Sequence, residues 1–118
     1  MPEEKKARLD VIDDTIGFDE TVLFDVLALL FDPGGGLKKR EAEGFLVLTD
    51  RRLIFATSKH GILVDLAMKE IEVPVTVTHK FAMARLAVQA GGGATHRLVV
   101  NKSAAQGIAA AITKAASA

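Results

Sequence analysis

The stretch that most constrains this chain is Gly44 to Thr57, Gly-Phe-Leu-Val-Leu-Thr-Asp-Arg-Arg-Leu-Ile-Phe-Ala-Thr. Two short apolar runs, Phe45–Leu48 and Leu53–Ala56, flank four polar residues. Runs this short do not stand alone as helices; they suit two strands folded back on each other. Side chains alternate between faces along a strand, so Phe45 and Val47 share one face and Leu46 and Leu48 the other. Both faces are apolar, and the pair must be covered on both sides. In the turn, the Thr49 and Asp50 side chains can bond backbone groups. Arg51 and Arg52 are then turn arginines, paired with Asp50 or packed along their stems.

The segment before the hairpin is harder to read. As a strand, Glu20–Phe31 puts Val22, Phe24, Val26, Ala28 and Leu30 on one face. Leu23, Asp25, Leu27, Leu29 and Phe31 lie on the other. As a helix it would line up Leu23, Leu27, Leu30 and Phe31. Periodicity does not separate the two; the β-rich sequence that follows favours a strand. Its second apolar face needs a cover. One reading is an N-terminal helix; the other is a second subunit. Pro2–Ile16 supplies such a helix, with Leu9, Ile12 and Ile16 on one side, and Gly17 ends it. Docking on the domain is favoured over fraying. The chain is accordingly divided into a helix or extension over 1–19 and a main domain over 20–118.

Asp32-Pro33-Gly34-Gly35-Gly36 is a break. It leads into the charged segment Leu37–Glu41. After the hairpin, Ser58–Gly61 reads as a turn. Ile62, Val64 and Leu66 follow as a strand, and Met68–Ile71 as a bend. Val73–Thr78 alternates with Val73, Val75 and Val77 inward. Pro74 cannot donate to a ladder, which makes this strand start late or lie at an edge. Arg85–Gln89 and His96–Val100 are two further strands joined through Gly91–Gly93. The chain then turns helical. Ser103 has capping-box spacing to Gln106, and Ile108 and Ile112 share a face with several alanines. Gly107 costs such a helix about 1 kcal/mol against Ala, so packing must hold it.

The string Gly-Phe-Leu-Val-Leu-Thr-Asp-Arg-Arg-Leu-Ile-Phe resembles the hairpin signature of bacterial pleckstrin-homology-like (PH-like) and GRAM-like domains. The likeness spans roughly Glu20 to Ala115. It implies a mainly β (α+β) fold: a partly open barrel of about seven antiparallel strands with a C-terminal capping helix, preceded here by a short N-terminal helix. Two features depart from the family pattern. The final helix has no Trp, and the N-terminal helix has no counterpart. The family includes phosphoinositide binders, peptide binders and domains without a known ligand, so fold alone does not assign a role.

Composition narrows the choices. The 118 residues hold no cysteine, Trp or Tyr, and the formal net charge is +0. Disulfides and thiolate metal sites are excluded, and no global field draws the chain to nucleic acid. The charged start Met-Pro-Glu-Glu-Lys-Lys lacks the apolar core of a secretory signal. The expected location is the cytoplasm. His60, His79 and His96 stand singly on different elements without metal-ligand spacing. No metal, cofactor or catalytic residue is expected. Two surfaces remain. Lys38, Lys39 and Arg40, with Arg51 and Arg52, could contact lipid phosphates through charge-assisted bonds; a solvated turn is the simpler reading. Leu23, Leu27, Leu29 and Phe31 could form a homo-oligomer contact. The favoured function is a non-catalytic, self-associating module. The alternatives are a membrane-surface or protein-binding module and, less favoured, an enzyme.

Overall fold

The computed structural model describes residues 10–17, 19–31, 41–91 and 93–117. Seven strands form one antiparallel sheet: β1 (Val22–Phe31), β2 (Glu41–Thr49), β3 (Arg52–Thr57), β4 (Gly61–Ala67), β5 (Ile71–Lys80), β6 (Met83–Ala90) and β7 (Thr95–Asn101). The spatial order is β4-β3-β2-β1-β7-β6-β5. Sheet twist curls the strands into a half-barrel. Helix α2 (Lys102–Ser117) packs into its concave side, mainly against β5 and β6. A short helix, α1 (Asp10–Thr15), precedes the sheet. Among the described residues, no helix is long and apolar enough to cross a membrane.

The mainly β, helix-capped fold expected from the alternation is what the chain adopts, and 20–31 is a strand. The inner face of the hairpin supplies Leu46, Leu48, Leu53 and Phe55, all with no exposed surface. Ile108 and Ile112 of α2 close the core from the other side. Gly44 begins the hairpin string for a steric reason. A Cβ there would overlap the Ala56 carbonyl oxygen, so only glycine lets β2 and β3 approach.

Helix α1 docks, but not over the outer face of β1. Ile12 is fully buried against Val47, Ile54 and Ala56, on the outer face of β2 and β3. The hairpin's second apolar face therefore takes the helix. Leu9 and the rest of residues 1–9 lie outside the described residues, as does the break at residues 32–36.

Three local expectations are corrected. Val22 and Phe24 do not share a face. A bulge between them makes Leu23 the extra residue, sending Val22 toward α1 and Phe24 into the core. Val73 is 42% exposed rather than inward. The β5–β6 register shifts between Glu72 and Thr76, around Pro74, whose nitrogen has no hydrogen to donate; β5 is an edge strand, as Pro74 suggests. Finally, Asn101 rather than Ser103 caps α2. Its Oδ1 accepts from the Ala104 N–H at 2.9 Å and from the Ser103 hydroxyl at 3.0 Å.

Candidate functional site

The hairpin turn is a polar knot. The Thr49 hydroxyl oxygen accepts from the backbone N–H of Arg51 and of Arg52, both at 3.0 Å, as turn chemistry predicts. The same hydroxyl donates to Glu20. Asp50 behaves differently from expectation: it pairs with neither arginine and accepts from the Thr21 N–H at 2.9 Å. The arginines instead reach back to the segment before β1. Arg51 meets Asp19 at 2.7 Å in an exposed pair. Arg52 donates through Nε and Nη2 to the two Glu20 carboxylate oxygens, each at 2.9 Å, and through Nη2 to the Thr15 carbonyl. Its Nη1 lies 3.4 Å from Asp65.

This geometry settles what Arg52 can offer. Glu20 retains only 4% of its side-chain exposure, and a buried carboxylate needs a paired, hydrogen-bonded cation. The hydrogen bonds from Arg52 hold the Glu20 carboxyl at about 2, against the opposing effect of burial and with help from Thr49 and Gly17. The Arg52 guanidinium is raised in turn by the same carboxylate. A cavity of about 530 Å³ opens beside the pair, lined by Asp19, Glu20, Asp65 and Glu70 as well as the two arginines. Four acids against two engaged bases repel a phosphate. Arg51 and Arg52 tie the N-terminal segment to the barrel, and that is the chemistry their positions support. Lys38, Lys39 and Arg40 lie outside the described residues.

The histidines do not converge. His60 is in the β3–β4 turn, His79 on β5 and His96 on β7. The His96 imidazole is pushed below its ordinary value by burial. Among the described residues, no three potential metal ligands come together.

The second candidate surface is apolar. Leu27, Leu29 and Phe31 project outward from β1, the central strand of the sheet. Leu27 is 63% exposed, and Leu29 and Phe31 are half-buried. Leu23 does not join them; it sits apart at the bulge, 44% exposed. The outer face of the sheet is thus divided. Helix α1 covers the β2–β3 side, and among the described residues nothing covers the β1–β7–β6 side. Val99 of β7 extends the apolar surface beside Leu29. On β6, the Arg85 guanidinium stands 5.2 Å from the centroid of the Phe31 ring, a cation–π distance.

The same open side carries a residue that sequence reasoning missed. Phe81, at the tip of the β5–β6 hairpin, is 90% exposed and has φ of 59°. A bulky side chain in left-handed backbone is unusual and strained. With Met83, Arg85 and Val99 it borders a hollow of about 460 Å³. The only sequence signal was an aromatic residue in a segment too short to be anything but a turn.

No family model matches the chain, and no curated protein matches it in sequence. Among solved structures, the chain is similar in fold to the C-terminal domain of an unknown protein from Leishmania infantum. That likeness has a TM-score of 0.65 at 16% identity, over 90% of this chain and 92% of that one. At that identity the likeness establishes the mainly β, helix-capped architecture and nothing about activity.

Proposed function

We propose that this chain is a non-catalytic binding and assembly module, of the PH-like kind that its hairpin string resembles, which associates with itself through the outer face of β1. The observation that carries the reading is an apolar face of a central strand that no other described residue covers. Leu27, Leu29 and Phe31 lie side by side with Val99, while α1 covers only the neighbouring part of the sheet. A contiguous apolar patch on an otherwise charged surface is the usual mark of a contact surface. The engaged state of Arg52 favours this reading over phosphate binding at the turn. The cysteine-free composition suits work in the cytoplasm.

Sedimentation velocity on the full chain from low to high micromolar concentration tests the proposal. A concentration-dependent shift from monomer to dimer is expected, weakened by Leu27→Gln. A wild-type chain that stays monomeric throughout the range overturns it.

A further inference from the structure

Four residues in register on the outer face make a short palindrome in chemistry. Across the sheet, the ladder aligns Glu43 of β2, Leu29 of β1, Val99 of β7 and Arg85 of β6 in one outward row. The row reads acid, apolar, apolar, base. Glu43 and Arg85 are exposed, and Leu29 and Val99 are half-buried. Among the described residues, neither Glu43 nor Arg85 has an ion-pair partner within the chain.

From this row we infer that two copies of the chain pack outer face to outer face, about a two-fold axis that runs parallel to the strands between β1 and β7. The inference rests on the self-association proposed above and specifies its geometry.

The argument is one of symmetry. A two-fold interface brings the same patch of both copies together, so the patch must complement itself. An axis parallel to the strands reverses the row across the interface. Leu29 then meets Val99 of the second copy, and Glu43 meets Arg85 of the second copy, twice over. An axis perpendicular to the strands in the sheet plane leaves the row unreversed and sets Glu43 against Glu43 and Arg85 against Arg85. Like charges so juxtaposed disfavour that arrangement strongly.

The curvature of the sheet agrees. Two convex surfaces touch along a line, here along the β1–β7 seam, and draw apart on either side. Short apolar side chains occupy the line of contact. The flanking positions, where the gap widens, carry the long side chains of Glu43 and Arg85; the Arg85 guanidinium, which rests over Phe31 of its own chain, swings out from the ring to meet Glu43 of the second copy. The next outward row places Phe31 on β1 beside Arg97 on β7. The same axis brings each Phe31, whose ring already carries Arg85 of its own chain at 5.2 Å, opposite Arg97 of the second copy. Aligned packing of twisted sheets, near −30°, is a common way for such faces to meet.

The experiment is a charge exchange on the full chain, followed by sedimentation equilibrium with circular dichroism as a check on folding. The single reversals Glu43→Arg and Arg85→Glu each place like charges in contact and are expected to weaken the dimer by about tenfold or more. The double variant Glu43→Arg with Arg85→Glu restores the pairing with its polarity exchanged, and is expected to return to within a few-fold of wild type. Both positions are exposed, so the variants should fold. If wild type dimerises but the single reversals leave its dissociation constant unchanged, or the double variant fails to recover, this axis is wrong while self-association stands. If wild type does not dimerise, both fail together.

Discussion

The ring of Phe24 on β1 lies against the backbone of Gly107 in α2. A Cβ on Gly107 would stand 2.6 Å from the ring Cζ and 2.8 Å from Cε1. No Cβ makes contacts that short without something moving. The glycine in the middle of α2 is there because an aromatic ring from the sheet fills its place. Gly107→Ala sets two effects against each other. Helix propensity gains about 1 kcal/mol, and forcing a methyl into a filled core costs about 1–3 kcal/mol. Since the ring packs against the core and its tip would have to move, the clash should win, with a net loss of about 1 kcal/mol in urea unfolding. In a Phe24→Leu background, where the ring is gone, the same substitution should be neutral or stabilising. Destabilisation that is equal in both backgrounds would show that Phe24 is not the cause.

Two adjacent arginines should behave very differently. Arg52 holds a buried carboxylate, and removing one partner of such a pair leaves the other charged and unsatisfied; the cost is about 3 kcal/mol or more. Arg51 meets Asp19 with both side chains more than half exposed, and exposed pairs contribute little. Chemical denaturation of Arg52→Ala and Arg51→Ala checks this. A large loss is expected for the first and a change within about 0.5 kcal/mol for the second.

Stability should depend on pH through two groups. Glu20 has its folded value lowered from 4.5 to about 2. Its contribution is complete above about pH 4.5 and is lost as the pH falls toward 2, when the carboxyl must be protonated. Over that window the linkage is on the order of 3 kcal/mol. His96 is lowered from 6.5 by burial, so the fold favours the neutral ring. That contribution is present above pH 6.5 and is lost as the pH falls through the folded value. Urea midpoints from pH 8 to 2 should show both declines. Glu20→Gln should flatten the lower and His96→Asn the upper; no change in slope from either substitution would contradict the assignment.

The hairpin phenylalanines point to opposite faces, and their burial separates their cost. Phe55 is fully buried, so Phe55→Ala should cost about 3–5 kcal/mol. Phe45 lies outward, partly covered by α1. Phe45→Ala should cost less, about 1–2 kcal/mol, in proportion to the smaller area it removes from water. Equal losses in equilibrium unfolding would mean that the outer face is more deeply covered than the fold indicates.

What the sequence made readable was local. The alternation of Leu46, Leu48, Leu53 and Phe55 is a property of neighbours, and it located the hairpin and the inner core. The helix cost of Gly107 was also visible, but not the Phe24 ring that takes the place of its side chain. What was hidden depends on residues far apart in the chain. Arg52 looked like a partner for Asp50 because the two are close in sequence. Its true partner, Glu20, is brought in by the antiparallel return of β1 beside β2. The bulge at Leu23 inserts one residue into β1, and the irregularity around Pro74 inserts two into β5; these put Val22 and Val73 where strict alternation does not assign them. The cover over β2 and β3 was unpredictable for a related reason. Two apolar outer faces competed for one short helix, and sequence pattern does not say which one wins.

Phe81 should separate stability from assembly. Its left-handed backbone conformation is disfavoured for a bulky L-residue by about 1–2 kcal/mol, a cost that asparagine and glycine largely avoid. Its ring is almost wholly exposed, so replacing it gives up little burial. Phe81→Asn should therefore raise the stability of the monomer, by about 0.5–1 kcal/mol. The measurement belongs at low micromolar concentration, because dimer formation would otherwise add its own stabilisation by mass action. At high concentration the same variant should associate more weakly than wild type, since it removes an exposed aromatic beside the open face of β1, β7 and β6. A residue that weakens the fold yet strengthens association is what strain retained at a contact site would look like. Loss of monomer stability in Phe81→Asn would show that the ring is packed rather than free. Higher stability with unchanged association would remove Phe81 from the contact surface and leave only the strain.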